Sequence, residues 1–293
     1  MISYKLLKEN GLKPKKISKL GNKTFLLETN NHKYVIKEET KYIDEKYNYL
    51  LSRGYNYFPK NYRLGKYLVY EYIENINMSK EEKVYEIMNL ISLLHTKTTV
   101  YKNISIDDYK IIYEDLDKRI NDTNDYYNKL NDLIDEEIYM SPSKYLLVKN
   151  ISKIYSALYF CKEELNNWYE LVKNTTKQRV VFIHNNLKED YLLKRNSSYL
   201  IGWDNSKQDI PIYDIYDLYN KYGCDVSFDL ALKNYQKKYA LTEEELKLLF
   251  IYISIPEKIY FDSNEIENTL KVKKIITRLE KSDQLIKSYY KKD

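Results

Sequence analysis

His184-Asn185-Asn186-Leu187-Lys188-Glu189-Asp190-Tyr191-Leu192-Leu193 is followed nine residues later by Gly202-Trp203-Asp204. It is polar and lies between two short runs with strand character, Val180-Val181-Phe182-Ile183 and Ser198-Tyr199-Leu200-Ile201. Together these predict a β-hairpin over 180–203 that carries a loop of His, Asn, Lys and acidic residues.

Upstream of the hairpin the pattern is helical. Ser141-Pro142 supplies an N-cap with proline at the first helical position. Leu147, Ile151, Ile154, Leu158, Cys161, Leu165 and Trp168 then alternate spacings of four and three. The predicted helix is roughly 28 residues, or about 40 Å, long. Its stripe reads as a packing seam, with Cys161 as one of the core residues. Ser79 and Glu82 form a capping box, after which Val84, Ile87, Met88, Ile91 and Leu94 line one face. Downstream, Thr242-Glu243-Glu244-Glu245 opens a further helix in a helical C-terminal third.

The first 75 residues read differently. Phe25–Thr29 and Lys33–Lys37 are β-type runs joined by Asn30-Asn31-His32, a hairpin signal. A helix through Glu45, Tyr49 and Leu50 closes at Arg53-Gly54, and Tyr67–Tyr72 is another strand. The order predicts an α+β chain of two lobes: a small β-rich lobe over 1–75 and a large helical lobe over 76–293, with a cleft between them.

Composition narrows the function classes. Six glycines in 293 residues exclude Gly-rich repeats, Gly/Ser linkers and a complete G-x-G-x-x-G loop. The 48 basic and 43 acidic residues are mixed along the chain, and a net charge of +5 calls for neither nucleic acid nor a membrane surface. The basic run Lys271, Lys273, Lys274, Arg278 and Lys281 reads as a solvated helix face. Thirty-four tyrosines accompany abundant Lys, Asn and Ile, which points to AT-rich codon usage rather than an aromatic binding surface. Cys161 and Cys224 give no disulfide framework, and His32, His95 and His184 lack zinc-site spacing. With no apolar run of membrane-spanning length and no signal-type N-terminus, a cytoplasmic chain is expected.

The central stretch is similar to the signature H-G-D-L-K-x-x-N-L-L … I-D-[FW]-[DE] of the protein-kinase-like superfamily. It matches at His184, Leu187, Lys188, Leu192, Leu193, Ile201, Trp203 and Asp204. Asp209-Ile-Pro211-Ile-Tyr-Asp214 resembles the D-x-P-x-x-D segment of the aminoglycoside-phosphotransferase branch, and Leu241–Lys258 resembles the C-terminal helices of the spore-coat CotS family. The resemblance spans about residues 15–290 and implies a bilobal kinase-like fold. It implies a phosphate-covering loop at Gly21, a strand lysine at Lys37 paired with Glu45, a nucleotide-binding hinge that includes Glu71 and Ile73, and a loop-supporting Asp214. ATP is the cofactor it implies.

Three positions depart from the pattern. Asn186 replaces the aspartate base, Tyr191 the metal-binding asparagine and Gly202 the metal-binding aspartate. A carboxamide has no usable basicity, and loss of a general base costs about 10²–10⁴ in rate. Glycine offers no oxygen to Mg²⁺, and a neutral phenol is a poor ligand for it. Asp204 could substitute only with a change of register. Mg²⁺ is therefore not expected, no catalytic set is intact, and His184 is read as a structural histidine. Three functions follow: an impaired kinase-like binding or scaffold protein, with a spore coat as one setting; an active phosphotransferase on a small hydroxyl or amino-sugar substrate; and a structural coat or assembly protein. The partners implied are a nucleotide or small molecule, and coat or assembly proteins.

Overall fold

A computed structural model describes residues 4–39 and 42–290. A short helix α1 (Tyr4–Glu9) leads into strands β1 (Lys16–Lys19), β2 (Thr24–Glu28) and β3 (Lys33–Glu38), then helix α2 (Tyr42–Ser52) and strands β4 (Asn61–Leu64) and β5 (Tyr67–Glu71). The five strands form one antiparallel sheet in the order β1-β2-β3-β5-β4. Successive side chains of a strand point to opposite faces. Ile36, Leu27 and Val69 accordingly enter a small core with Leu7, Leu12 and Leu64. Val35 and Lys37 point the other way and border a cleft. Gly54 sits at φ +71° just past α2, in the left-handed geometry that ends a helix.

The rest of the chain is mainly helical: α3 (Lys80–Thr98), α4 (Ile106–Asp135), α5 (Pro142–Val172), α6 (Ile212–Tyr222), α7 (Phe228–Gln236), α8 (Glu243–Ser254) and α9 (Glu265–Tyr290). Ser79 and Glu82 close a reciprocal capping box on α3, and Thr242 and Glu245 do so on α8. The α5 stripe is buried at Leu147, Ile154, Leu158, Cys161, Leu165 and Trp168, against α4, α8 and α9. It is a seam inside the helical part, which leaves that face closed to an outside partner. Ser141 precedes α5, but its side chain makes no cap bond; instead Glu265 of α9 accepts from the Ser143 amide.

The predicted 180–203 hairpin is corrected. Strand β7 (Lys177–Ile183) pairs with β6 (Val100–Asn103) on one side and β10 (Lys207–Asp209) on the other. The residues 198–200 form β9, which pairs with β8 (Leu192–Lys194). Two small sheets therefore replace one hairpin. They carry the 184–191 loop and the 201–206 turn to the mouth of the cleft between the sheet and the helices.

Candidate functional site

The cleft holds a cavity of about 370 Å³, within the size range of small-molecule sites. Leu20, Val35 and Thr24 come from the sheet side, and Tyr70 to Ile73 from the segment leading out of β5. Tyr191, Leu193 and Ile201 to Asp204 come from the helical part. The lining is largely apolar and aromatic, with Lys37, Glu39 and Asp204 gathered at one end.

That end is built around Lys37. Its Nζ lies 2.6 Å from Glu39 and 3.0 Å from Asp204. Glu39 is two residues beyond Lys37, so extended backbone turns both toward the same side. Asp204 arrives from a short turn at Trp203–Asn205. Burial opposes the charge on Lys37, but the two carboxylates outweigh it and hold the ammonium above its ordinary range. Burial pushes Glu39 up, since its side chain is only 4% exposed. Burial also opposes ionisation of the half-exposed Asp204, but Lys37 prevails and holds it below the usual carboxylate range.

The expected Lys37–Glu45 pair does not form. Glu45 is exposed on α2, while the next residue, Lys46, turns inward and donates to the carbonyl oxygens of Trp203 at 3.3 Å and Asp204 at 2.5 Å. Adjacent helical positions point about 100° apart, so one residue's difference decides which side chain reaches the cleft.

Gly21 does not line the cavity; Leu20 and Thr24 do. Both the Leu20 and Gly21 amides donate to the Thr24 carbonyl, at 2.9 and 3.1 Å. They close a tight turn between β1 and β2 and are not presented to a ligand. Glu71 and Ile73 do border the cavity. Among the described residues no group accepts a hydrogen bond from the Ile73 amide.

The 184–191 loop is held from beneath by α6. Asp214, fully buried, accepts the His184 and Asn185 amides, each at 2.8 Å, and faces His95 Nε2 at 3.2 Å. Asp217, one turn on, accepts the Leu187 amide at 2.8 Å, and Lys221 donates to the Leu187 carbonyl. His184 is buried, with Nε2 on the Ile201 carbonyl at 3.0 Å, and Nδ1 has no partner among the described residues. Burial, the largest influence on it, holds the imidazole below its ordinary range. Asn185 takes φ +59°, a left-handed position that asparagine tolerates better than most residues. Asn186 makes no side-chain hydrogen bond with described residues and does not border the cavity. Asp217 and Lys221 escaped the sequence reading, although Asp217 stands at helical spacing i+3 from Asp214.

Tyr191 and Gly202 meet face to face. Gly202 adopts φ +86°, and a Cβ built on it would lie 2.6 and 3.0 Å from Tyr191 Cδ2 and Cζ, and closer still to Cε2. The Ile201 amide donates to the Tyr191 carbonyl at 3.0 Å, which keeps the two segments together. The kinase-like fold implies Mg²⁺ here, and these residues do not fit it. Position 202 has no side chain and position 191 presents a ring. Among the described residues no three His, Cys, Asp or Glu side chains are grouped to hold a metal ion. The nearby carboxylates, Glu39 and Asp204, are both engaged by Lys37.

No protein-family model matches the chain, and no curated protein matches it. Among solved structures it is similar to an aminoglycoside phosphotransferase from Alicyclobacillus acidocaldarius, with TM-score 0.66 and 10% identity over 99% of this chain and 97% of that one. It is also similar to spectinomycin phosphotransferase in an AMP-bound complex, with TM-score 0.53 and 12% identity over 93% and 94% of the two chains. A choline kinase from Streptococcus pneumoniae matches at TM-score 0.47 and 18% identity over 97% and 99%. At such identities the likeness concerns the path of the chain and not its chemistry. The protein has the mixed α+β, protein-kinase-like fold of the aminoglycoside phosphotransferases.

Proposed function

We propose that this chain is a kinase-like binding protein that takes an adenine nucleotide in the cleft and does not carry out ordinary metal-dependent phosphoryl transfer. The observation that carries this reading is the contact of the Tyr191 ring with Gly202, where the fold calls for two metal ligands. Phosphoryl transfer rests on positioning and on charge neutralisation by the metal. Lys37, the amide of Ile73 and an apolar wall survive as binding elements; Asn186 provides no base. The AMP seen in spectinomycin phosphotransferase is consistent with a nucleotide in the corresponding cleft.

The test is calorimetric titration of adenine nucleotides together with a Mg²⁺-ATP turnover assay over a panel of amino sugars and small alcohols. Binding without turnover is expected. Turnover abolished by Asp204→Asn would instead establish an active phosphotransferase, the reading favoured by the approach of Asp204 to Lys37. A scaffold role, in a spore coat or another assembly, is the setting in which such a binding module would act. It rests on the CotS-like residues at 241–258 and would be checked by crosslinking in cells.

A further inference from the structure

We infer that the cleft selects a nucleoside or nucleoside monophosphate over a nucleoside triphosphate, without a divalent metal, and that Tyr191 and Gly202 act together to impose this choice. The inference rests on the proposed reading of the cleft as an adenine-nucleotide site and adds the class of ligand.

Three independent features point the same way. The first is steric. While Tyr191 keeps its ring against Gly202, no side chain can be placed at 202, because even a Cβ falls inside contact distance of three ring carbons. The two missing metal ligands are thus coupled, because no side chain can be restored at 202 while the ring of Tyr191 stays in place.

The second lies in the backbone above the cleft. A polyphosphate in a kinase-like cleft is covered by amide N–H groups, whose partial charges make an anion-binding concavity. Here the Leu20 and Gly21 amides both point at the Thr24 carbonyl, and the Leu20 side chain borders the cavity in their stead.

The third is charge. Lys37 is shared between Glu39 and Asp204, and Lys46 is bound to the Trp203 and Asp204 carbonyl oxygens. A β- or γ-phosphate would approach two carboxylates with no metal between them. A base and ribose need only the apolar wall of Val35, Leu193 and Ile201 and the hinge segment at Glu71 to Ile73. An α-phosphate adds a single negative group at the edge of the Lys37 cluster. Tyr191 is then a specificity-determining residue, because it puts an aromatic face where the metal-bridged phosphates would sit.

The experiment is titration of the full chain with adenosine, AMP, ADP and ATP, each in EDTA and in excess Mg²⁺. Adenosine and AMP are expected to bind with affinities that Mg²⁺ does not change. ATP should bind at least about tenfold more weakly than AMP in EDTA, as the repulsion of uncompensated like charges requires, and Mg²⁺ should not tighten it, because the Tyr191 ring stands where the metal-bridged phosphates would sit. ATP binding as tight as AMP, or tightened by Mg²⁺, would overturn the inference while leaving the adenine-nucleotide reading intact. If none of the four binds, that reading itself fails, and this inference with it. The double variant Tyr191→Asn/Gly202→Asp should gain Mg²⁺-dependent ATP binding. If it folds, as judged by circular dichroism, and stays indifferent to Mg²⁺, the role assigned to the pair is refuted.

Discussion

The contact between Tyr191 and Gly202 can be tested for its energy apart from any ligand. Gly202→Ala adds one methyl group at a position whose backbone is left-handed, φ +86° and ψ 39°. For a residue with a Cβ that conformation costs about 1–2 kcal/mol. Overlap with the Tyr191 ring adds the penalty of overpacking, about 1–3 kcal/mol. The single variant should therefore lose roughly 2–5 kcal/mol of stability by these two routes.

Tyr191→Asn removes the ring. Its own cost, about 1–2 kcal/mol, comes from partial burial and from the Lys188 ammonium 5.4 Å from the ring centroid. In the double variant Gly202→Ala/Tyr191→Asn the conformational cost at 202 stays while the overlap disappears. The double variant should then be more stable than the sum of the singles predicts, by about 1–3 kcal/mol. The assay is urea unfolding of the four proteins, compared by midpoint at a common slope. Additivity within about 0.5 kcal/mol would refute the coupling and with it the claim that the ring occupies the place of a side chain at 202.

Other expectations are more direct. Asp214→Ala leaves the His184 and Asn185 amides and His95 without a buried acceptor, so stability should fall by about 3 kcal/mol or more in a denaturant series; a loss below 1 would contradict the geometry. His184 has a native pKa below its ordinary value, so its contribution to stability is complete above about pH 6.5 and declines as pH falls toward the native value. His184→Gln should flatten the acid side of the stability profile between about pH 6.5 and 5, and an unchanged slope would show that the proton uptake lies elsewhere. Lys37→Met should weaken AMP binding and lower stability by more than about 1 kcal/mol in the same urea series, because it leaves the Glu39 carboxylate, only 4% exposed, without its ammonium. Of the two thiols, buried Cys161 should resist an aromatic disulfide reagent until unfolding, while half-buried Cys224 reacts first; equal rates would mean that the α5 seam opens readily.

Much of the architecture is legible because it is local. The β2–β3 hairpin follows from two alternating runs about an Asn-rich turn, and the capping boxes of α3 and α8 follow from single pairs of residues. The α5 stripe, seven residues over about six turns, leaves little choice. The thirty-residue α4 escapes such reading because its buried positions are few and partly polar, Tyr109, Leu116, Ile120, Thr123, Tyr127 and Ile134. The pairing of β7 is non-local: β6 lies over seventy residues upstream in the chain, and nothing in Val180–Ile183 names its neighbour.

The site divides along the same line. Which chemical groups are missing follows from residue identity alone. Asn186 cannot accept a proton, Gly202 has no ligand oxygen and Tyr191 offers a phenol, whatever the fold, because these are properties of side chains. The family pattern pointed to Glu45 as the partner of Lys37, and the structure gives Glu39 instead. Long-range packing brings Asp204, 167 residues from Lys37, onto the same ammonium. Only the tertiary structure brought the Tyr191 ring onto the bare backbone of Gly202. Ion pairing and steric exclusion act through space over a few ångströms, and those distances are set by how β3, α2 and the 184–206 segment are packed together.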